Sequence, residues 1–362
     1  MKFVTVQPGP EFSVLDVHRG WVEALRKAGH LVVDINLSER LEFYGRAIND
    51  PAIARNFPDP DLAAAMLASK GIEAACFEVK PDVLFMTSGF YIPPEVYKAC
   101  HVNGITTVLL CTESPYEDDN QLKWAPWADV ILLNDPTNLG RFRELNPRTY
   151  YFPHAYDPAR HHPGEPSEDC LSEFAFVATG FPSRIEFMEA VDWSGIDALF
   201  AGNWQKLSPH SPLIEFMAHD LSQCLDNHNT VRVYQSTKAS ANLYRRENLL
   251  ASNIDGWSMG PREVELAACG TFFLRDPRPE GDEVFPMLPT FTDPDDFGEK
   301  LRWWIEHDDA REKVTKLAQQ AVEPYTFDNN VAKLLTLLDH GPSPRQAASA
   351  PSALRDGEEE AP

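Results

Sequence analysis

Three short segments in the first half of the chain are almost entirely apolar and end in a polar residue. They read "PDVLFMT" (81–87), "TTVLLCT" (106–112) and "ADVILLN" (128–134). Continuous rather than alternating apolarity is typical of strands that are covered on both faces, as the strands of a parallel sheet are. With "KFVTV" and "LVVDIN" before them and helical spacing between, these segments predict a doubly wound α/β unit.

The same alternation begins again after the polar, proline-bearing connector "HHPGEPSED" (161–169). The strands predicted there are "EFAFVATG", "IDALFAGN", "NTVRVYQ", "NLLASNID" and "GTFFLRD", with amphipathic helices after them. We therefore predict two α/β domains with parallel sheets that face a central cleft. The expected bounds are 1–160 and 170–325, then a helix at 326–340 that packs back towards the cleft and a disordered tail at 341–362.

Charge and composition argue against several classes of protein. The net charge of −23 repels phosphate backbones, so nucleic acid is not expected as the main partner. No segment approaches the roughly 20 apolar residues of a membrane span, and the start "MKFVTVQPGPEF" lacks the pattern of a signal peptide. The six cysteines are scattered without a C-x-x-C pair, which disfavours metal clusters and disulfide frameworks and fits a reducing cytoplasm.

Residues at strand ends are the candidates for ligand contact, because ligands of such folds bind beyond the carboxyl ends of the strands. The chain has neither G-x-G-x-x-G after its first strand nor the P-loop pattern G-x-x-x-x-G-K-[ST]. In "FVATGFPSRIEFMEAV", a strand ends at Gly180 and Arg184 opens the next helix. Loop N–H groups and this arginine can hold an anion. The alternative is an ordinary strand-to-helix turn.

The segment "GPREVELAACG" (260–270) predicts a short helix with its charged residues near its N-terminus. Pro261 suits the first turn, and Gly270 suits the position after the helix. Arg262 and Glu265 are one turn apart, so both side chains project near the helix N-terminus. An arginine beside exposed N–H groups suits a diphosphate, and a carboxylate suits the two hydroxyls of a ribose. The alternative is a surface Arg–Glu pair, which would stabilise the fold by well under ~1 kcal/mol.

Three further groups of residues follow predicted strands or lie in the connector. The loop "CTESPYEDD" follows a strand of the first half, so Glu113 or Glu117 could act as a base or hold an acceptor hydroxyl; a solvated acidic loop is the alternative. Trp204, in "FAGNWQK", is a candidate for contact with a ligand ring or a sugar. The pair His161 and His162 in the connector is expected to be solvated rather than to bind a ligand.

Four segments, in this order and spacing, resemble the GT-B glycosyltransferases and within them the spore-maturation CgeB-like group. "PREVELAACGTFFLRD" is similar to the R-x-x-E-x-x-A-x-G helix of GT-B enzymes, and "FVATGFPSRIEFMEAV" is similar to the CgeB-like strand-G-x-x-x-x-R element. "YYFPHAYDP" (150–158) is similar to the crossing between domains, and "FTDPDDFGEKLRWWIEHDDAREKV" to the late helices. The resemblance spans most of the chain and is best over residues 150–330.

The resemblance implies a GT-B fold, a donor site in the C-terminal half, and a sugar-facing histidine, His154, at the interdomain cleft. It assigns the donor site to Glu265 on the ribose, to Gly180, Arg184 and Arg262 near the diphosphate, and to Tyr244 and Asn253 in the pocket. Many retaining relatives carry a second glutamate eight positions before the ribose glutamate, and Trp257 stands there in this chain. The CgeB-like group often lacks that glutamate too.

Residues and resemblance together predict a cytoplasmic glycosyltransferase, a hexosyl- or related transferase that works without a metal. Retention of the sugar's configuration is what the resemblance alone implies. A nucleotide-diphosphate sugar would be its co-substrate, with no further cofactor, because a nucleoside diphosphate is already a leaving group. The acceptor would be a hydroxyl of a protein, a glycan or a small molecule. Two alternatives stay open, namely a non-catalytic assembly factor that binds sugar nucleotide or glycan and a GT-B nucleotide-sugar epimerase.

Overall fold

The structure is a computed structural model that describes residues 1–10, 12–247 and 255–339. Six parallel strands form the first sheet, in the order β2-β1-β3-β4-β5-β6. They are β1 (Lys2–Val6), β2 (Leu31–Ile35), β3 (Val83–Thr87), β4 (Thr106–Cys111), β5 (Val130–Leu133) and β6 (Thr149–Tyr151). The helices between them are α1 (Phe12–Lys27), α2 (Leu37–Ile48), α3 (Pro51–Ala54), α4 (Pro60–Val79), α5 (Pro94–Val102), α6 (Asp118–Gln121) and α7 (Leu139–Leu145).

Helices cover both faces of this sheet, as the continuous apolar runs predict. Leu84 packs in the hydrophobic cluster on one face, and its neighbour Phe85 packs in the cluster on the other face. The same division separates Leu109 from Leu110 in the next strand. Burying both faces removes a strand's whole side-chain surface from water, which is why these strands have no alternating polar positions.

The second sheet has four parallel strands in the order β10-β9-β7-β8. They are β7 (Ser172–Val177), β8 (Ala198–Ala201), β9 (Thr237–Asn242) and β10 (Phe272–Arg275). The helices that follow β7 are α8 (Pro182–Ala190), α9 (Asn227–Ser236), α10 (Pro261–Cys269), α11 (Pro279–Val284), α12 (Pro294–Glu306), α13 (Asp308–Val322) and α14 (Phe327–Asp339). None of the helices in the described ranges is long and apolar enough to cross a bilayer. Two parallel-sheet domains confirm the predicted fold class.

One strand of the second sheet lies elsewhere than the sequence pattern predicts. The predicted strand "NTVRVYQ" is wrong, because these residues belong to helix α9. Asp226 caps that helix by accepting a hydrogen bond from the Asn229 N–H at 2.8 Å. The strand between β7 and β10 is instead β9, "TKASAN", in which Ala239 and Ala241 are fully buried. The predicted strand "NLLASNID" falls largely on residues 248–254, outside the described part of the chain.

Two stretches of chain cross between the sheets and hydrogen-bond to each other. The first joins β6 to β7 and the second joins α13 to α14. The Tyr156 N–H donates to the Tyr325 carbonyl at 2.9 Å, and the Phe327 N–H donates to the Tyr156 carbonyl at 3.2 Å. Helix α14 then packs against α1, so closely that a Cβ on Gly20 would stand 2.2 Å from the Phe327 ring. The predicted tail at 341–362 lies outside the described residues.

Candidate functional site

A cavity of about 440 Å³ lies between the carboxyl ends of the two sheets. One wall comes from α1 and from the loops after β4, β5 and β6. The opposite wall comes from the loops after β7, β8 and β9 and from the starts of α9 and α10. This is where doubly wound folds bind their ligands. Six of the predicted site residues line the cavity: Glu113, His154, Arg184, Tyr244, Arg262 and Glu265.

Helix α10 begins at the cavity wall, with charged residues near its N-terminus as its sequence predicts. Pro261 occupies its first turn, and Gly270 ends it in a left-handed conformation with φ of 73°. Glu263 turns inward, is fully buried and accepts a hydrogen bond from the Gly260 N–H at 2.6 Å. The body of the helix is small and apolar and packs against the sheet, so the side chains of Arg262 and Glu265 are left at the cavity.

Arg262 is held by neutral groups alone. Its Nε donates to the Val177 carbonyl at 3.1 Å, and its Nη1 donates to Asn242 Oδ1 at 2.9 Å. The guanidinium carbon lies 5.2 Å from the centre of the Phe176 ring, on which it stacks. These contacts fix the side chain in one orientation. They leave its positive charge without a carboxylate partner among the described residues.

Arg184, in the first turn of α8, has the same kind of surroundings and is more deeply buried, with 9% of its surface exposed. Its Nε donates to the Leu243 carbonyl at 2.8 Å and its Nη1 to the Thr179 carbonyl at 3.1 Å. Burial first, and then the neighbouring Arg262, lower the pKa of Arg184 to about 9. A buried cation is costly unless it is paired, and neither arginine has a carboxylate within ion-pair distance among the described residues. The two adjacent arginines therefore favour binding of an anion from outside the protein.

Glu265 stands beside these arginines, with its side chain 18% exposed. Its Oε1 accepts a hydrogen bond from Asn227 Nδ2 at 3.4 Å. Burial raises the pKa of this carboxyl, and the nearby His161 and Arg262 oppose that rise.

The expectation that His161 is solvated is wrong, because its side chain is buried against Asn227.

Gly180 and Trp204 have structural surroundings rather than the ligand contacts expected of them. The Gly180 N–H donates to the Asn203 carbonyl at 2.7 Å, so it has no hydrogen left for an anion. Trp204 is fully buried, and its indole N–H donates to the Ala201 carbonyl at 3.0 Å. A Cβ on Gly180 would stand 2.6 Å from the Trp204 ring, so the glycine allows the tryptophan to pack. Neither residue lines the cavity.

Tyr244 lines the cavity beside Arg278, whose guanidinium carbon lies 3.7 Å from the centre of the tyrosine ring. The Tyr244 hydroxyl donates to the buried Glu263. Burial raises the pKa of Glu263 to about 7, against the lowering effect of this hydrogen bond. Asn253, the other residue predicted for the donor pocket, lies outside the described residues.

The opposite wall carries Glu113, which already has a partner. Its Oε2 accepts a hydrogen bond from Arg245 Nη2 at 2.9 Å, an ion pair that joins the two domains. Arg245 also stacks on the Tyr116 ring, 4.2 Å from its centre. Burial raises the pKa of Glu113, and Arg245 opposes that rise. Glu117 is one turn further along and does not line the cavity, and its negative charge adds to the rise in the pKa of Glu113.

His154 lies at the start of the first crossing and lines the same wall. Its Nε2 lies 2.6 Å from Asn134 Nδ2, and an amide nitrogen can only donate, so the imidazole accepts there and its proton is on Nδ1. Burial lowers the pKa of His154 to about 4, and Arg278 contributes to the lowering while Asp135 opposes it. The ring is therefore neutral near pH 7 and can only share its proton in a hydrogen bond.

Further contacts between the domains run along one edge of the cavity. Arg278 Nη2 donates to the Tyr116 hydroxyl at 2.6 Å, and the Ser258 N–H donates to Asp135 Oδ2 at 2.9 Å. Trp257, at the position of the second family glutamate, packs edge-on against Tyr151 with ring centres 5.8 Å apart. It does not line the cavity. A tryptophan here closes an apolar contact between the domains and leaves no carboxylate at that position.

Sequence reasoning missed several residues of this site, among them Arg245, Arg278, Asp135, Asn227 and His161. Arg245 follows β9, the strand that the apolar pattern did not reveal, so its place at a strand end was hidden too. Asp135 follows "ADVILLN", a predicted strand, and could have been found by the strand-end rule. His161 and Asn227 are 66 residues apart and meet only in the folded chain.

Comparisons with known proteins agree with this architecture. Residues 184–336, which include Arg184, Arg262 and Glu265, match the model of a family described as glycosyl transferase-like. A comparison with curated protein sequences gives no match.

Solved structures of low sequence identity share the whole fold. A sucrose-phosphate synthase from Thermosynechococcus elongatus superposes with a TM-score of 0.62 at 10% identity, over 94% of this chain and 99% of the other. The Anabaena protein HepE, solved in complex with UDP-glucose, gives 0.61 at 10% identity over 93% and 99%. An alpha-glucosyltransferase (AGT), solved in complex with UDP, gives 0.60 at 11% identity over 93% and 99%. These similarities confirm the GT-B fold.

Proposed function

We propose that this chain is a glycosyltransferase that moves a sugar from a nucleoside diphosphate to a hydroxyl group. The observation that carries the proposal is the pair Arg184 and Arg262, two cations on one cavity wall whose hydrogen-bond partners within the described part of the chain are neutral. The match of residues 184–336 to a glycosyl transferase-like family supports the reaction class. UDP and UDP-glucose in two structures of the same fold support the class of ligand.

The donor binds on the wall formed by the second sheet. Its diphosphate accepts hydrogen bonds from the guanidinium groups of Arg184 and Arg262, which are fixed in advance by backbone carbonyls. Its ribose hydroxyls donate to the carboxylate of Glu265, three residues further along α10 from Arg262. The spacing of one helical turn therefore separates the charge that binds phosphate from the charge that binds sugar hydroxyls.

The acceptor hydroxyl binds on the wall formed by the first sheet, near Glu113 and His154. Transfer breaks the bond between the anomeric carbon and the diphosphate oxygen and forms a bond from that carbon to the acceptor oxygen. In a retaining transfer both oxygens lie on one face of the sugar, so the acceptor proton passes to the departing phosphate. Glu113 then orients the acceptor hydroxyl, and neutral His154 donates a hydrogen bond to the sugar.

Catalysis in this proposal consists of positioning and of stabilising negative charge. The departing diphosphate gains charge in the transition state, and the two arginines are already held on the wall that would bind it. Such a site needs no metal ion, and it needs no cofactor besides the sugar nucleotide. We also propose that the enzyme is cytoplasmic and belongs to the CgeB-like group, on the sequence motifs given above.

A second candidate is a protein that binds a sugar nucleotide without turning it over, as an assembly factor. The observation in its favour is Trp257, which stands where many retaining relatives have a second glutamate and which packs against Tyr151 instead. The two candidates share the donor site and differ in the release of free nucleoside diphosphate.

A thermal-shift screen against UDP, GDP, dTDP and their sugars tests the proposal, with Arg262→Ala and Glu265→Ala beside the wild type. A ligand at 100 times its dissociation constant adds about 2.7 kcal/mol, which raises the midpoint of unfolding by several degrees. We expect one nucleotide to be selected, Arg262→Ala to lose most of the shift, and Glu265→Ala to lose about half of it. Arg232→Ala is the matched control, because Arg232 is a surface residue paired with Asp169.

The outcomes separate the candidates. Absence of a shift with every nucleotide contradicts the donor site, and a shift kept by both variants moves the ligand elsewhere. When a sugar nucleotide is selected, chromatography of the incubated donor decides between the activities. Release of the nucleoside diphosphate supports transfer, an altered sugar on an intact donor indicates an epimerase, and unchanged donor with any acceptor offered favours the binding protein.

A further inference from the structure

His161 is buried in the connector between the domains and reaches the proposed ribose carboxylate through one intermediate residue. Only 4% of its surface is exposed. Its Nε2 lies 2.7 Å from Asn227 Oδ1, and 3.8 Å from Glu265 Oε1. Asn227 Nδ2 lies 3.4 Å from the same Glu265 oxygen. Three elements therefore meet at one edge of the cavity. They are the first crossing, the first residue of α9 and the N-terminal part of α10.

Hydrogen-bond chemistry gives this chain of contacts one direction. The Asn227 oxygen can only accept, so His161 Nε2 carries a proton and donates it. The Asn227 amide nitrogen can only donate, so it donates to Glu265 Oε1. Both polar ends of the amide are thereby used, and a flipped Asn227 would place its oxygen against the Glu265 carboxylate and lose that contact. The second oxygen of Glu265 has no partner in this relay.

The other nitrogen of His161 is held by the backbone of its own connector. Nδ1 lies 3.3 Å from the Asp157 N–H and 3.2 Å from the Asp157 carbonyl. The ring also packs edge-on against Tyr156, with ring centres 6.3 Å apart. Tyr156 in turn pairs with the second crossing through the hydrogen bonds to Tyr325 and Phe327. These contacts hold the imidazole against the first crossing, and they do not involve α9 or α10.

We propose that His161 is a positioning residue for donor binding, which through Asn227 holds the Glu265 carboxylate in the orientation that reads the ribose 2′-hydroxyl. The inference rests on the proposed function, since it assigns a partner to the carboxylate that contacts the ribose. A fixed carboxylate loses less conformational freedom when the nucleotide binds than a freely rotating one does, so preorganisation raises the affinity for the ribose. Because His161 belongs to the connector, it also links ribose binding to the position of the first crossing between the domains.

The test is a comparison of two ligands that differ by the single hydroxyl in question. Dissociation constants for UDP and 2′-deoxy-UDP are measured by calorimetry, or for GDP and its 2′-deoxy form if the screen selects guanine. A hydrogen bond to a charged group is expected to make the wild type prefer the ribonucleotide on the order of tenfold. We expect His161→Phe to bring that ratio towards one, as Glu265→Ala does, while binding of the deoxynucleotide changes little.

Three further variants separate positioning from packing. His161→Gln carries an amide N–H close to the position of Nε2 and is expected to keep the ratio. Asn227→Leu breaks the same relay at its middle residue and keeps the contacts of His161 Nδ1 with Asp157, and it is expected to lower the ratio as His161→Phe does. His162→Phe is the matched control, because the neighbouring His162 is exposed and its ring Nδ1 hydrogen-bonds to the Pro163 carbonyl, away from Asn227 and Glu265. It is expected to keep the wild-type ratio.

The proposal is overturned if His161→Phe and Asn227→Leu keep the wild-type ratio, or if both ligands weaken by the same factor, as general loss of packing would cause. A wild-type ratio near one overturns it as well, because the carboxylate then does not read the hydroxyl. Failure of the proposed function looks different, since the wild type then binds neither nucleotide in either sugar form.

Discussion

The two walls of the cavity differ in what their charged groups already contact. On the wall of the second sheet, Arg184 and Arg262 contact carbonyl oxygens and an amide, and their charges are unpaired among the described residues. On the wall of the first sheet, Glu113 is paired with Arg245 and His154 is hydrogen-bonded to Asn134. One wall has a charge for a ligand to neutralise, and the other wall has its polar groups engaged.

This difference indicates an order of events. An anion can bind the second wall without breaking any contact, because carbonyl partners only orient the guanidinium groups. A ligand on the first wall has to share Glu113 with Arg245, an ion pair that also connects the domains. We therefore expect donor binding to come first and to be largely independent of the first wall. Binding of an acceptor would involve the contacts that hold the two domains together.

The largest effect is expected at the unpaired arginines. Arg262→Ala removes a charge-assisted contact to the diphosphate and should weaken UDP binding on the order of 100-fold by calorimetry. Arg232→Ala, which removes an exposed arginine of the same domain, should leave the affinity within about twofold. Equal effects of the two substitutions would mean that long-range charge, and not this wall, attracts the nucleotide.

Gly180→Ala tests whether Gly180 serves packing or binding. The added Cβ would stand 2.6 Å from the Trp204 ring, and overpacking of this kind costs roughly 1–3 kcal/mol. We expect a lower free energy of unfolding in urea and an unchanged affinity for UDP at low temperature. Gly140→Ala is the matched control, since a Cβ there meets nothing within 4 Å. A loss of affinity without a loss of stability would return Gly180 to the ligand site.

The lowered pKa of His154 predicts that the protein loses stability as the pH falls. Its pKa is about 4 in the folded chain against 6.5 in a free side chain, so the unfolded chain takes up the proton first as the pH falls. Stability is therefore lost between pH 6.5 and 4, by roughly 1–2 kcal/mol at pH 5. His154→Gln should remove this part of the pH dependence in urea titrations, and His162→Gln should not. Identical pH profiles for wild type and His154→Gln would mean that folding leaves the pKa of His154 unchanged.

A small effect on donor binding is expected at Glu113. Glu113→Gln removes the partner of Arg245 on the first wall, so the affinity for UDP should change by less than about threefold, towards tighter binding. Glu117→Gln, one turn further along and off the cavity, should have no effect. A weakening of tenfold or more by Glu113→Gln would contradict the independence of the two walls.

The fold and the donor wall were largely predictable because local signals agreed with the final packing. Continuous apolar strands require cover on both faces, and a helix with Arg262 and Glu265 at its mouth presents both to the same space. Strand β9 escaped prediction because "TKASAN" is nearly devoid of large apolar residues, and its burial depends on neighbours that are far away in sequence. The strand assigned to "NTVRVYQ" failed because the cap at Asp226 outweighed the β-branched residues.

The first wall and the connector could not be predicted because their contacts are formed between distant segments. The pair of Glu113 and Arg245 spans 132 residues, and His161 reaches Asn227 across 66. The prediction that Trp204 contacts a ligand was wrong for a related reason. A tryptophan at a strand end can face a ligand or the core, and only the close approach permitted by Gly180 decides for the core.

A crystal structure of the chain with UDP tests the central claim most directly. We expect diphosphate oxygens within about 3.2 Å of the guanidinium nitrogens of both Arg184 and Arg262, with the ribose hydroxyls on Glu265. The pair of Glu113 and Arg245 should remain as it is now. A nucleotide bound elsewhere, or one whose diphosphate displaces Glu113 from Arg245 and leaves Arg184 and Arg262 without an anion, would contradict the assignment of the donor to the second wall.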